Sequence, residues 1–352
     1  MKKNWRKQVL LQLGWSKFEL QQVSDKQFEL EGFYIPPNYG GNRLELISNG
    51  MDFVSQKHVF ETNVTFGDYK VDIWRVKATG IRNKSDGVIQ IATHYENGNR
   101  GNSAFHDWFW VLNPNRALPP LPLMQYIGAD DASWFHFAGG TWAEKSLRTF
   151  EHFTGKDRTS IKTIVDWGCG CARVSRHYFD LCNAQIVGLD IDNKVIEWCK
   201  ENLPNGEWSC IPTSTPTPLE ESSADLIIGH SVFTHLDEES QFSWLKELSR
   251  IVKPNGLVMV TVLGVYGTFL EPISNDEEDR LQASGFIEPN DRKKTTNKHI
   301  VLSKTDADYP SYHKGVFHMP EYIRNTWSKY FDIQAIIEGF ADHQALCILK
   351  KK

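Results

Sequence analysis

An acid and three small residues alternate in the stretch VDWGCGCARVSRH, residues 165–177, where they could hold a ligand. Asp166 is followed by Gly168, Gly170 and Ala172, with one residue between each pair. Glycine lets another molecule approach the backbone closely, and a turn between a strand and a helix presents backbone N–H groups. An acid at this place suits a ligand with a cationic amino group, held directly or through water. The stretch therefore predicts a binding turn for a ligand that carries an amino group.

A dinucleotide is the main alternative ligand for such a turn. Dinucleotide-binding turns follow the pattern Gly-x-Gly-x-x-Gly/Ala, in which the third small residue lets the helix pack on the strand. Counted from Gly168, this third position is Arg173, which is bulky and charged. Asp190, 20 residues after Gly170, is placed to accept hydrogen bonds from a ribose diol and is compatible with both ligands. The spacing thus disfavours a nicotinamide-dependent oxidoreductase.

The elements that carry these residues alternate between strands and helices. Apolar runs predict strands at residues 163–165, 185–192, 224–231, 257–264, 331–339 and 345–351. Capped or amphipathic segments predict helices that begin at residues 172, 193, 238 and 319. Alternation of this kind implies a parallel sheet built from right-handed βαβ units. Such a sheet binds ligands at the carboxyl ends of its strands, so we expect the glycine turn and Asp190 to meet at one edge.

The first third of the chain has a different composition. Residues 18–115 contain short segments rich in β-branched and aromatic residues, separated by Gly, Asn and Asp. This pattern favours antiparallel strands in a small sandwich or barrel. Four prolines then break regular structure within residues 112–126. We therefore predict a β-rich N-terminal domain at residues 1–125, with an accessory or acceptor-recruiting role, and a ligand-binding α/β domain at residues 126–352.

Composition limits the class of protein and its partners. The chain of 352 residues is 40% hydrophobic and 24% charged, and its net charge of −5 gives no reason to expect nucleic acid as a partner. The basic N-terminal segment contains an apolar run that is too short for a signal peptide, and no membrane span is expected. We therefore expect a cytoplasmic protein. The six cysteines lack zinc-ligand spacing, so we expect reduced thiols and no metal site.

Four stretches, in order, resemble the class I S-adenosylmethionine-dependent methyltransferases. They are VDWGCGCAR, VGLDID, ADLIIGHSVFTHL and ELSRIVKPNGLVMVTV, and the resemblance extends over roughly residues 130–350. It implies a Rossmann-like methyltransferase sheet and S-adenosyl-L-methionine as the cofactor. The expected cofactor-binding residues are Asp166, Gly168, Gly170, Asp190, Ile191, Gly229 and His230.

The resemblance also assigns a role to each part of the site. It implies that the two glycines contact the methionine portion, that Asp190 meets the ribose hydroxyls, and that backbone near Gly229 closes over the cofactor. Many members also carry an acid after the third strand, which binds the adenine amino group. This sequence has WSCIPTSTPTPLEESS there, so a hydroxyl such as Ser214 or a backbone carbonyl has to substitute.

Two histidines after the fourth strand are the candidates for catalysis. His230 and His235 lie over the expected methyl donor, and histidine suits a general base because its unperturbed pKa is near neutrality. For His235, a helix cap or a packing role is the alternative. We expect metal-independent methyl transfer.

The acceptor is inferred from further resemblance. The segments SVFTHL, WFHFAGGTWAEKSL and VFHMPEYIRNTWSKYF resemble a bacterial branch associated with glycan and surface-polysaccharide biosynthesis. This implies O-methylation of a saccharide or another small molecule. A catalytically inactive module that binds glycan or protein is the alternative.

A long stretch with little periodicity, at about residues 264–316, predicts a lid-like insertion. We expect it to form the acceptor pocket, opposite His230 and His235. Its candidates for stacking and hydrogen bonding are Tyr266, Tyr309, Tyr312, His313 and His318.

Overall fold

The computed structural model describes the larger part of the chain, namely residues 5–36, 44–66, 69–95, 107–112, 116–270, 273–289 and 315–352. The fold divides into two compact units. The first comprises residues 1–114 and 133–145, and the second comprises residues 115–132 and 146–352. Residues 115–132 therefore belong to the second unit, although they precede part of the first along the chain.

The first unit contains two antiparallel sheets. Its elements are α1 (Trp5–Leu13), β1 (Trp15–Gln22), β2 (Gln27–Ile35), β3 (Leu44–Asn49), β4 (Met51–Phe66), β5 (Tyr69–Arg82), β6 (Val88–Tyr95) and β7 (Trp108–Val111). One sheet has the order β1-β2-β5-β4 and the other β3-β6-β7. Because side chains alternate along a strand, each sheet has one apolar face, and Phe18, Phe28, Ile91 and Trp110 from the two sheets share one buried core.

The second unit is an α/β structure. Its elements, with α3 divided between the units, are α2 (Leu121–Tyr126), α3 (Ala132–Thr154), β8 (Thr163–Trp167), α4 (Ser175–Leu181), β9 (Gln185–Asp190), α5 (Asn193–Asn202), β10 (Glu207–Cys210), β11 (Ala224–Gly229), α6 (Glu238–Ile251), β12 (Val252–Val262), α7 (Gly267–Leu270), α8 (Asn275–Ser284), β13 (Phe286–Ile287), β14 (Phe317–His318), α9 (Pro320–Thr326), β15 (Phe331–Ala341) and β16 (Gln344–Lys351).

The main sheet of this unit has seven strands in the order β10-β9-β8-β11-β12-β16-β15. The first five strands run parallel, and β16 runs antiparallel to β12 and to β15. Strands β8 and β11 are neighbours, and the order reverses between them. The loops that follow these two strands therefore meet at the carboxyl edge of the sheet, where doubly wound sheets bind ligands.

Two local features shift the helix and strand ends from their predicted positions. Ala172 adopts a left-handed φ of 58° inside the glycine turn, so the next helix begins at Ser175 and not at residue 172. Ser231 has the same φ of 58°, and strand β11 accordingly ends at Gly229 and not at residue 231. Both deviations occur where the chain turns at the carboxyl edge.

The stretch predicted as a lid contains more regular structure than expected. Helix α8 begins with a capping box, in which Ser274 and Glu277 bond to each other's backbone N–H groups, and it ends at Gly285 with a φ of 76°. The Ser-x-x-Glu pattern and the following glycine are ordinary helix boundaries. This helix could therefore have been predicted. Tyr309, Tyr312 and His313 lie outside the described residues.

Candidate functional site

The glycine turn between β8 and α4 is fastened to the end of β9. Gly168 and Gly170 have left-handed φ values of 77° and 52°, which glycine adopts without strain. The Gly168 N–H donates to the carbonyl oxygen of Leu189 at 2.7 Å, and the Gly170 N–H donates to Asp190 Oδ2 at 2.7 Å. The turn and Asp190 thus form one hydrogen-bonded unit.

Both glycines face a close neighbour. A Cβ atom built on Gly168 would lie 2.3 Å from Val232 Cγ2, and one on Gly170 would lie 2.8 Å from Ile127 Cγ2. Val232 belongs to the loop after β11, and Ile127 lies on the segment before α3. The turn is therefore enclosed on two sides, and a larger residue at Gly168 would force these parts of the site to separate.

Asp190 keeps a capacity to bind a ligand. Its Oδ2 accepts from Gly170, and its Oδ1 accepts from the Asp192 N–H at 2.9 Å. A carboxylate offers about four lone-pair positions, so each oxygen can accept a further hydrogen bond. Burial raises the pKa of Asp190, and the backbone N–H groups act in the opposite direction. Ile191, which follows, is 36% exposed.

Asp166 lies buried beneath the turn. Its side chain is 2% exposed, and the Ser175 hydroxyl donates to its Oδ2. Burial raises the pKa of Asp166 from its ordinary 3.8 to about 7, the Ser175 hydrogen bond lowers it, and the nearby charge of Asp190 raises it further. Two carboxylates that both resist ionisation favour a cation between or beside them. This property fits a ligand with a positive charge.

Residues 116–128, here named the cap segment, pack on the glycine turn and on α4. Arg173 Nη1 donates to the carbonyl oxygen of Ile127 at 2.9 Å, and Arg116 forms an ion pair with Asp180, with Nη2 and Oδ1 3.0 Å apart. Burial lowers the pKa of Arg173 to about 10, so the side chain still carries its charge at neutral pH. Arg173, which disfavours a dinucleotide, thus fastens the cap segment in this protein.

The loop after β11 carries both candidate histidines. His230 and His235 are half-buried, and the His235 N–H donates to the carbonyl oxygen of Val232 at 3.0 Å. The cap of α6 is Asp237, whose Oδ1 accepts from the Ser240 N–H at 2.9 Å, so His235 is not the capping residue. His230, Val232 and His235 lie on the loop after β11, which contacts Gly168 through Val232.

Two residues proposed for the acceptor pocket are buried. His318 is 1% exposed, its Nε2 lies 2.9 Å from Gln241 Oε1, and burial lowers its pKa to about 3. Tyr266 is 2% exposed and packs against Phe269. The prediction that these two side chains offer stacking faces or hydrogen bonds to an acceptor is wrong, because tertiary packing covers both.

The loop after β12 is held by Glu338, a residue that no sequence pattern singles out. Glu338 on β15 accepts hydrogen bonds from the N–H groups of Val265 at 3.0 Å and Tyr266 at 3.3 Å. Burial raises the pKa of Glu338, and these two hydrogen bonds lower it. Because the partners lie more than 70 residues apart in sequence, no local pattern could have indicated them. The proposed adenine contact, Ser214, is exposed.

Within the described ranges, no group of three or more His, Cys, Asp and Glu side chains is arranged to hold a metal ion. The six cysteines are free thiols, of which Cys210 is exposed. No helix among the same residues is long and apolar enough to cross a membrane.

Comparison with known proteins identifies the domain that contains the site. Residues 165–260 match the family described as "Methyltransferase domain". The chain is 28% identical over 154 residues to the ribosomal protein L11 methyltransferase of Vibrio vulnificus (strain YJ016), an alignment that covers 43% of this chain and 49% of that protein. It is 30% identical over 105 residues to the tRNA (carboxymethyluridine(34)-5-O)-methyltransferase of Arabidopsis thaliana, over 29% of this chain and 24% of that protein.

The chain spans about half the length of the first of these curated relatives, and less of the second. The alignment with a solved S-adenosylmethionine-dependent methyltransferase from Mesorhizobium loti covers 61% of this chain and all of that protein, with 13% identity and a TM-score of 0.40. The family match includes the glycine turn, Asp190 and the loop after β11. The chain therefore carries a class I S-adenosylmethionine-dependent methyltransferase domain, and its cofactor is S-adenosyl-L-methionine.

Proposed function

We propose that the protein transfers the methyl group of S-adenosyl-L-methionine to a hydroxyl group of a saccharide or a related small molecule. The observation that carries the cofactor part is the joint arrangement of the glycine turn, Asp190 and Asp166. Burial raises the pKa values of Asp166 and Asp190, and both residues lie beside a turn whose glycines carry no side chain. A cofactor with an ammonium group suits ionised Asp166, and the hydroxyl groups of its ribose suit the free lone pairs of Asp190.

Each residue of the site has a role in this proposal. The backbone of Gly168 and Gly170 contacts the methionine portion, Asp190 accepts hydrogen bonds from the ribose hydroxyls, and ionised Asp166 stabilises the cationic end. When bound, the cofactor supplies a methyl group that is already activated. The protein then has mainly to hold the acceptor in line, and positioning of this kind can lower a barrier by roughly 7–11 kcal/mol.

A hydroxyl acceptor also has to lose a proton. His230 and His235 are our candidates for the general base, because both lie on the loop whose Val232 touches Gly168. A base within hydrogen-bond reach of the acceptor typically accelerates such a reaction by about 10²- to 10⁴-fold. Neither histidine is a member of the buried core, in contrast to His318.

The acceptor class rests on the sequence. The resemblance to a branch associated with glycan biosynthesis favours a saccharide, and the net charge of −5 disfavours a polyanion. In folds of this kind, segments added at the carboxyl ends of the strands select the acceptor. We therefore assign acceptor selection to residues 264–316, and a supporting or recruiting role to the β-rich first unit.

A macromolecular acceptor is the second candidate, and the curated relatives favour it. One of them is named for ribosomal protein L11 and another for a transfer RNA. A protein amine would need less help from a base than a sugar hydroxyl does, so the two candidates make different demands on His230 and His235.

Radiolabelled S-adenosyl-L-methionine tests both candidates in one assay. The protein is incubated with nucleotide sugars, glycan fragments, purified L11 and bulk transfer RNA, and label transfer is counted for each. Label in a sugar fraction supports the proposal, whereas label in L11 or in transfer RNA alone supports the second candidate. Asp190→Ala serves as the control that should abolish transfer. Absence of S-adenosylhomocysteine binding at millimolar concentration would refute methyl transfer altogether.

A further inference from the structure

A closed ring of hydrogen bonds holds the loop after β11. The Ser231 N–H donates to Thr261 Oγ1 at 2.8 Å, the Thr261 hydroxyl donates to Gln344 Oε1 at 2.6 Å, and Gln344 Nε2 donates to Ser231 Oγ at 2.7 Å. Thr261 lies near the end of β12, and Gln344 is the first residue of β16. Three separate parts of the sheet thus meet at Ser231, at its carboxyl edge.

The ring fixes a residue that is strained. Ser231 has a left-handed φ of 58°, which costs a residue other than glycine about 1–3 kcal/mol and persists only where its surroundings enforce it. All three of its polar groups are hydrogen-bonded, since its carbonyl oxygen also accepts from the Thr234 hydroxyl at 2.8 Å. Thr261 is 1% exposed, so water competes little for the two hydrogen bonds of its hydroxyl group.

Ser231 lies in the chain between two residues of the cofactor site. Ser231 stands between His230, a predicted cofactor contact, and Val232, whose Cγ2 would lie 2.3 Å from a Cβ on Gly168. A change in the backbone at Ser231 would therefore move one side of the site against the glycine turn. Gln344 is 113 residues away from Ser231 in sequence.

We propose that Gln344 is a positioning residue for the cofactor. Through Thr261 and Ser231, it holds the loop after β11 at the distance from the glycine turn that S-adenosyl-L-methionine requires. This inference rests on the proposed function, and it adds to the site a residue from the last strand, far outside the matched residues 165–260.

The test uses the full chain and measures the Kd of S-adenosylhomocysteine by calorimetry, with the thermal midpoint recorded in parallel. Thr261→Val keeps the shape of the side chain and removes the hydroxyl, and Thr261→Ser restores the hydroxyl. Gln344→Leu removes the amide. Gln334→Leu, on the exposed side of β15, is the matched control, since its amide bonds only to the carbonyl oxygen of Asp332 at 3.4 Å among the contacts described.

We expect Thr261→Val and Gln344→Leu to weaken binding about 10-fold, because each loses two hydrogen bonds worth about 2- to 10-fold apiece. Thr261→Ser and Gln334→Leu should stay within about 2-fold of the wild type. If Gln344→Leu does not fold, the two substitutions at Thr261 still decide the question.

Other outcomes overturn the inference. An unchanged Kd with a lower thermal midpoint would mean that the ring only stabilises the fold. A Thr261→Ser variant as weak as Thr261→Val would mean that the hydroxyl is not responsible. If the wild type itself does not bind S-adenosylhomocysteine, the proposed function fails first, and that result is distinct from a failure of the variants alone.

Discussion

Replacing Asp166 with asparagine should separate the stability of the fold from the affinity for the cofactor. Burial raises the pKa of Asp166 from 3.8 to about 7, so between these values the folded protein binds a proton that the unfolded chain has released. The free energy of unfolding therefore falls as the pH rises through this interval and levels off above about pH 7. An interval of about 3 pH units, at about 1.4 kcal/mol each, corresponds to about 4 kcal/mol.

Asparagine keeps the shape of the side chain and its acceptor for the Ser175 hydroxyl, and it cannot ionise. We therefore expect Asp166→Asn to match the wild type near pH 4 and to exceed it at pH 8, by up to about 4 kcal/mol. Urea denaturation at several pH values measures this difference. Rising stability with a loss of function is the common outcome when a strained group of an active site is removed.

Cofactor affinity should change in the opposite direction. If the ammonium group, which S-adenosyl-L-methionine and S-adenosylhomocysteine share, selects ionised Asp166, about one tenth of the protein is competent at pH 6 and about nine tenths at pH 8, so the apparent Kd tightens roughly 10-fold. Calorimetry with S-adenosylhomocysteine at these pH values tests this for the wild type. Asp166→Asn should bind weakly, and its Kd should not depend on pH in this way. Any pH dependence that remains in this variant comes from the amino group of S-adenosylhomocysteine itself.

Asp225 provides a control, because its effect on the free energy of unfolding should change with pH in the opposite direction. Burial raises the pKa of Asp225, but hydrogen bonds from Lys253 and from the N–H groups of Lys162 and Thr163 outweigh this and hold it below its ordinary value. Its contribution to stability is present at neutral pH and is lost on acidification, so Asp225→Asn should destabilise at pH 8. The reasoning about Asp166 is refuted if Asp166→Asn is no more stable than the wild type at pH 8.

Three further substitutions test the site. Asp190→Ala should weaken S-adenosylhomocysteine binding by at least about 10-fold in calorimetry, with the exposed Asp332→Ala as control; an unchanged Kd would contradict its assignment. His318→Ala should lower the free energy of unfolding by about 2–4 kcal/mol in urea while the Kd stays the same, and a selective loss of binding would speak against a core role. Gly168→Ala should lose both affinity and about 1–3 kcal/mol of stability, since its φ is 77° and its Cβ would meet Val232; wild-type affinity would show that the turn can widen freely.

Local patterns predicted much of the α/β half. Helix α5 has its predicted bounds, and it begins after Asp192 because this residue caps it and accepts from the Lys194 N–H at 2.8 Å. The buried strands were visible as runs of β-branched residues, and the glycine turn was visible by its spacing. Each of these features is encoded within a few adjacent residues.

Long-range packing was not predictable in this way. Nothing in the sequence near His318 indicates that Gln241 would cover it, 77 residues away. The same holds for Glu338 and Gln344, whose hydrogen bonds connect the last two strands to loops much earlier in the chain. Polar residues in otherwise apolar strands are compatible with surface, catalytic and structural roles, and only the tertiary neighbours decide among them.

The cap segment determines where a fragment that contains the cofactor site has to begin. A fragment that starts at residue 146, within α3, would lack Ile127 and Arg116. The same holds for a fragment that starts at residue 165, where the family match begins. Arg173 Nη1 would lose its carbonyl acceptor, and Asp180 its ion-pair partner. The smallest fragment suited to recombinant expression therefore begins before Arg116, about 50 residues upstream of the recognisable family signature.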